Sequence, residues 1–92
     1  MALKRINEFL SREGMENELY EFLLSIVPYI KESEGNIGCE VLQSKEDRTR
    51  IVVIEEWENE EFHKKSVENY PPAKMREAMM LIAAPPKGEY FI

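Results

Sequence analysis

The chain of 92 residues contains only one cysteine, one histidine and one tryptophan. Its single cysteine, Cys39, cannot form a disulfide within the chain, and this usage is typical of a reducing compartment. One histidine and one cysteine, without a close-spaced set of carboxylate and histidine ligands, do not make a usual transition-metal site. We therefore expect a protein that binds no stoichiometric metal.

Long apolar segments and an excess of positive charge are also missing. No apolar run approaches the roughly 20 residues of a membrane-spanning helix, and Met1–Glu8 has no apolar core like that of a signal peptide. The formal net charge of −6 argues against nucleic acid and anionic membranes as partners, since both are recognised through clustered Lys and Arg. We expect a single domain over residues 1–92, located in the cytoplasm.

The most regular pattern lies in the middle of the chain, where two strand-like runs flank a charged segment. Residues 38–44 partly alternate between apolar and polar side chains, and residues 50–59 begin with a run rich in valine and isoleucine. Residues 45–49 between them are polar. This pattern predicts a β-hairpin. Trp57 closes its second strand, where a large ring with one N–H donor is well placed to line a pocket.

Hydrophobic periodicity predicts the remaining elements. Apolar residues recur at three- and four-residue spacing from Met15 to Ile30, which indicates a helix kinked at Pro28 and stopped by Gly35. A later helix is expected to start at the Pro71-Pro72 pair, with Ile82 on its apolar face. The other predicted elements are a strand over 2–10, a helix over 58–70 and a short strand over 89–92.

This order predicts an α+β fold, a ferredoxin-like βαββαβ antiparallel sheet with helices on one face. The third strand is apolar on both sides, through Ile51 and Val53 on one and Val52 and Ile54 on the other. So short a chain has too few helices to cover both faces of the sheet. We therefore expect a homodimer that packs sheet against sheet.

Two segments resemble the antibiotic biosynthesis monooxygenase family. Residues 34–42 form a glycine-containing turn followed by a strand, and residues 54–61 carry the pattern E-x-W leading into a helix. The resemblance covers nearly the whole chain and implies a dimeric α/β barrel. It also implies a cofactor-independent monooxygenase that oxidises a small electron-rich aromatic, of the quinol or anthrone type, with dioxygen. That chemistry needs an apolar pocket, a base and a hydrogen-bond donor to the forming oxyanion.

The resemblance also implies roles for particular residues. Asn7 matches the family's active-site asparagine and would donate a hydrogen bond to a substrate oxygen. Trp57 matches the family's tryptophan and would stack on the substrate or donate its N–H. His63 is the candidate base, because it is the only histidine and titrates near neutrality. The further residues expected to line the pocket are Glu55, Ser66 and Met79.

Other interpretations stay open at this point. A non-catalytic protein of the same fold could hold a small apolar or aromatic ligand. Heme degradation would need an iron-ligating histidine near Arg76, where the chain has none, and Ser66 stands where many family members have a histidine. Asn7, Trp57 and His63 each also have a purely structural interpretation, in the core or at a strand edge.

Overall fold

The computed structural model describes residues 2–92, which form a four-stranded antiparallel sheet in the order β2-β3-β1-β4 with three helices. This arrangement confirms the predicted ferredoxin-like α+β fold. The elements are β1 (Leu3–Leu10), α1 (Glu16–Glu32), β2 (Asn36–Gln43), β3 (Arg50–Trp57), α2 (Glu60–Asn69), α3 (Pro72–Met79) and β4 (Lys87–Phe91).

Two local features fix where α2 begins. Gly35 adopts a φ of +82°, and a Cβ at this position would overlap the ring of Phe62. Asn59 then caps α2, since its side chain accepts a hydrogen bond from the backbone N–H of Phe62 at 3.1 Å. Together they place His63, in the first turn of α2, over the sheet.

Two predicted elements differ in extent from the structure. The helix α3 ends at Met79, and Ile82 lies beyond it, where it pairs with Ser11 in an isolated bridge and is buried in the core. The expectation that Ile82 belongs to the helix is therefore wrong. The prolines Pro85 and Pro86 cannot extend a helix, and the chain instead turns back toward β4, which begins at residue 87 and not at 89.

The two faces of the sheet differ in what covers them. On one face Ile51 and Val53 of β3 pack against Leu19 and Leu23 of α1 and against Ile82, and these five residues form the core. Successive strand residues point to opposite faces, so the even-numbered residues of β1 and β3 make up the second face. The third strand is thus apolar on both sides, as predicted.

None of the helices within residues 2–92 is both long and apolar enough to cross a membrane.

Candidate functional site

A cavity of about 140 Å³ lies between the helix-covered face of the sheet and all three helices. The sheet contributes Asn7 and Phe9 from β1 and Val53 and Glu55 from β3. The other walls are mostly apolar or aromatic and include Phe22, Ile26, Tyr29, Val67, Tyr70 and Met75. A largely apolar recess with a few converging polar groups is typical of a small-molecule site.

The strand register explains how the polar groups meet. In the antiparallel pairing of β1 with β3, Asn7 lies opposite Val53 and Arg5 lies opposite Glu55. All four side chains therefore point to the same face of the sheet, and Asn7 and Glu55 are diagonal neighbours. Of the residues predicted from the sequence, the structure brings Asn7, Glu55, His63 and Ser66 together around this cavity.

Trp57 and Met79 lie outside the cavity wall. Trp57 is 0% exposed, and its Nε1–H donates a hydrogen bond to Glu55 Oε1 at 2.9 Å. The indole thus holds the Glu55 carboxylate in place by a hydrogen bond from outside the cavity. Met79 is the exposed last residue of α3, and this helix contributes Met75 and Ala78 to the wall.

Glu55 is the one acidic group in the wall of this cavity, and it is only 6% exposed. Burial raises the pKa of its carboxyl group, while the hydrogen bond from Trp57 and the charge of Arg5 act in the opposite direction. Oε1 accepts the indole N–H, and Oε2 has no hydrogen-bond partner among residues 2–92. A partly desolvated carboxylate with one free oxygen can accept a proton from a bound ligand.

His63 is 8% exposed and lies between Tyr90 and Glu55. Its Nδ1 is 2.6 Å from the Tyr90 hydroxyl oxygen, and its Nε2 is 4.0 Å from Glu55 Oε1. Burial lowers the pKa of His63 to about 4, so the imidazole is neutral at pH 7 and the 4.0 Å approach is not an ion pair. The tautomer that avoids facing a lone pair toward the carboxylate has the Tyr90 hydroxyl donating to Nδ1, with Nε2–H directed at Glu55.

Three residues that the sequence pattern did not indicate, Arg5, Gly88 and Tyr90, surround this polar end. β4 pairs with β1 so that Tyr90 lies opposite Arg5 and Gly88 opposite Asn7. The Arg5 guanidinium carbon is 4.7 Å from the centroid of the Tyr90 ring. A Cβ at Gly88 would overlap both the Arg5 guanidinium and Asn7 Oδ1, so only glycine leaves room for the two side chains.

Two other polar side chains in the wall, Ser66 and Tyr29, already have hydrogen-bond partners. Ser66 Oγ is 2.9 Å from Ser33 Oγ, and the Tyr29 hydroxyl donates to the Ser66 carbonyl oxygen at 2.7 Å. These bonds tie α2 to the C-terminal part of α1. The polar groups of the wall that these bonds leave available are Asn7 and Glu55 at the sheet and the Tyr70 hydroxyl after α2.

The remaining recesses and nucleophiles show no comparable arrangement. A more open groove of about 340 Å³ between the ends of α1 and α2 is lined mainly by polar residues such as Glu32, Glu34, Lys65 and Asn69. Burial raises the pKa of Cys39 to about 12, so its thiol stays protonated. Within residues 2–92 no group of three His, Cys, Asp or Glu side chains could hold a metal ion.

Solved structures share this fold over nearly their whole length. A conserved protein from Methanosarcina mazei Go1 superposes with a TM-score of 0.88 at 14% identity, covering 99% of this chain and 91% of that chain. Rv0793 from Mycobacterium tuberculosis superposes with a TM-score of 0.85 at 13% sequence identity, covering 100% of this chain and 94% of that chain. A variant of SnoaB, a cofactor-independent oxygenase from Streptomyces nogalater, superposes with a TM-score of 0.82 at 13% sequence identity, covering 99% of this chain and 91% of that chain.

No curated protein matches the sequence. The sequence model of the antibiotic biosynthesis monooxygenase family, however, matches residues 2–77, most of the chain. Together with the shared fold, this match shows that the chain belongs to the antibiotic biosynthesis monooxygenase family.

Proposed function

We propose that this chain is a cofactor-independent monooxygenase that oxidises a small electron-rich aromatic compound with dioxygen. The observation that supports it most is the free carboxylate oxygen of Glu55, next to Asn7 at one end of an apolar cavity. Membership of the family supports a monooxygenase at a coarser level. SnoaB, which shares the fold, is itself a cofactor-independent oxygenase.

The reaction needs no reductant beyond the substrate. Glu55 takes a proton from a hydroquinone hydroxyl, and the delocalised anion passes one electron to dioxygen. The resulting radical and superoxide combine at a ring carbon next to the phenolate carbon, and the returned proton gives a hydroperoxide. Loss of water leaves a hydroxyquinone, so one oxygen atom enters the product and the other leaves as water.

Each polar residue has a separate part in this scheme. Asn7 donates its amide N–H to the substrate oxygen that carries the developing charge. Glu55 is the base that accepts the substrate proton, because a carboxylate with a raised pKa is a stronger base than an imidazole whose pKa is about 4. His63 remains the second candidate for the base, and this role would require the other tautomer, with Nδ1–H donating to the Tyr90 hydroxyl and Nε2 unprotonated.

Oxygen consumption with a panel of hydroquinones and anthrones tests the proposed function. We expect uptake by the purified chain without added metal or flavin, and Asn7→Ala should lower it by about 100- to 1,000-fold, the usual loss for an oxyanion donor. Asn69→Ala, on the exposed end of α2, is the matched control and should retain full activity. Ligand binding without any oxygen uptake would instead favour the non-catalytic binding protein.

We further propose that the chain forms a homodimer through the second face of the sheet. Ile6 lies opposite Ile54, and Val52 lies opposite Leu42, so four branched apolar side chains are adjacent on this face. Leu42 is 49% exposed in the single chain. Burying such a surface contributes roughly 25 cal/mol per Å², and a second copy offers the matching apolar face.

Ile54→Asp is expected to dissociate the dimer, because it places a second carboxylate beside Glu40, which lies opposite Ile54 on the face that the two copies would bury. Sedimentation equilibrium at micromolar concentration measures the change. Met80→Asp introduces the same charge at an exposed position beyond α3 and should leave the dimer intact. A stable monomer formed by the unmodified chain under these conditions would contradict the proposal.

A further inference from the structure

We infer that the cavity binds a single aromatic ring that carries a neutral hydroxyl group, and that it rejects fused polycyclic rings and ring carboxylates. This inference deepens the proposed function, because it names the substrate class of the same site. It is carried by the size of the cavity, the charge of its wall and the position of its free polar groups.

Size limits the ligand to one ring. The cavity measures about 140 Å³, close to an engineered protein cavity of about 150 Å³ that holds benzene. Two of the wall residues, Leu23 and Val53, are also members of the buried core. The wall on this side cannot retreat without disturbing the packing of α1 on the sheet. The further rings of a fused polycycle would therefore have to project from the open side of the recess and would lose the contacts of the wall.

Charge limits the substituents of that ring. Glu55 is acidic, and no lysine or arginine side chain contributes to the wall. The nearby cation, Arg5, lies over the Tyr90 ring and next to Gly88 and is not part of the wall. A ligand carboxylate would therefore have no cation of its own in the wall. It would have to share Arg5, whose charge already acts on Glu55, with a second partly desolvated carboxylate, which is unfavourable.

The free polar groups fix the orientation of the ring. Asn7 and Glu55 lie on the sheet side, whereas the hydroxyl groups of Ser66 and Tyr29 on the helix side are already hydrogen-bonded. A ring hydroxyl can donate to Glu55 Oε2 while its oxygen accepts from the Asn7 amide. The rest of the ring then lies among apolar side chains of the helices.

Calorimetric titration with phenols that do not react with dioxygen tests the ligand class apart from catalysis. We expect 4-methylphenol to bind at least about tenfold more tightly than 9-phenanthrol, since forcing extra volume into a packed site is costly. Two ligands of nearly equal size, 4-hydroxybenzamide and 4-hydroxybenzoate, isolate the charge, and the neutral one should bind at least about tenfold more tightly. Tighter binding of 9-phenanthrol, or equal binding of the amide and the carboxylate, would overturn the inference.

A variant of the wall tests whether this cavity is the site. Ile26→Ala removes three carbons from the α1 side and should shift the affinity ratio of 2-naphthol to 4-methylphenol by roughly tenfold toward the larger ligand. Leu24→Ala, on the same helix but outside the wall, is the control and should keep the original ratio. A ratio of affinities is insensitive to a general loss of stability, and an unchanged ratio in Ile26→Ala would overturn the inference.

The results separate this inference from the proposed function. Binding of 4-methylphenol in the cavity without oxygen uptake for any hydroquinone would retain the ligand class and reject the oxygenase. Oxygen uptake with anthrones alone would retain the oxygenase and reject the single-ring ligand.

Discussion

Replacing Glu55 by glutamine is expected to lower oxygen uptake by about 100- to 10,000-fold, the range over which a general base contributes. The amide cannot take the substrate proton, yet its oxygen can still accept the hydrogen bond that Trp57 donates to Oε1. The substitution therefore removes the base and keeps the local packing. Initial rates of oxygen uptake, with ligand affinity measured alongside, record the effect.

Stability should change in the opposite direction to activity. Because burial raises the pKa of Glu55, its ionised form is disfavoured in the folded state, and stability is lost as the pH rises through the raised pKa. Glu55→Gln should thus melt at the same or a higher temperature than the unmodified chain at pH 8. Glu58→Gln, at an exposed position before α2, is the control and should alter neither quantity. A parallel loss of melting temperature and activity would mean that Glu55 acts only in folding.

The pH dependence of the rate separates the two candidate bases. If Glu55 is the base, oxygen uptake should rise with pH through a value above the ordinary range of a glutamate. If His63 is the base, the rise should occur near pH 4, where burial places the pKa of its imidazole. A rate that does not change between pH 4 and pH 8 would argue against Glu55.

Strand alternation made part of this site predictable. Because side chains two residues apart share a face, Glu55 and Trp57 had to point to the same side of β3. The same rule places Asn7 on one face of β1, although the sequence does not say which face the helices cover. Which of Glu55 and Trp57 faces the cavity depends on where α2 crosses the sheet, and this is set by tertiary packing around Gly35 and Asn59.

The contribution of β4 could not be predicted in the same way. Arg5, Gly88 and Tyr90 become neighbours only because β4 pairs with β1 at the edge of the sheet. That pairing joins the two ends of the chain, and no local pattern encodes its register. Likewise, Ile82 continues the helical spacing of α3 although the helix has already ended, since an apolar residue can be buried equally well after a turn.

Trp57→Ala is expected to lower the free energy of unfolding by about 3–5 kcal/mol, the usual loss when a buried large aromatic side chain is truncated. The indole is fully buried and packs edge-to-face on His63, with ring centroids 5.7 Å apart. Chemical denaturation measures the loss. Val67→Ala, which truncates a half-exposed side chain of α2, is the control and should lose much less.

Trp57→Phe tests whether the indole also positions the base. Phenylalanine keeps most of the buried ring but removes the N–H donor to Glu55. The carboxylate then loses the hydrogen bond that favours its ionised form. The pKa of Glu55 should rise further, and the rate profile should move to higher pH, while 4-methylphenol binds with nearly unchanged affinity. In the Glu55→Gln background no carboxylate remains in the wall of the cavity. Adding Trp57→Phe to that variant should therefore not move the pH profile of the rate. If Trp57→Phe instead weakens ligand binding and leaves the profile in place, the indole contacts the ligand directly, as the sequence alone indicated.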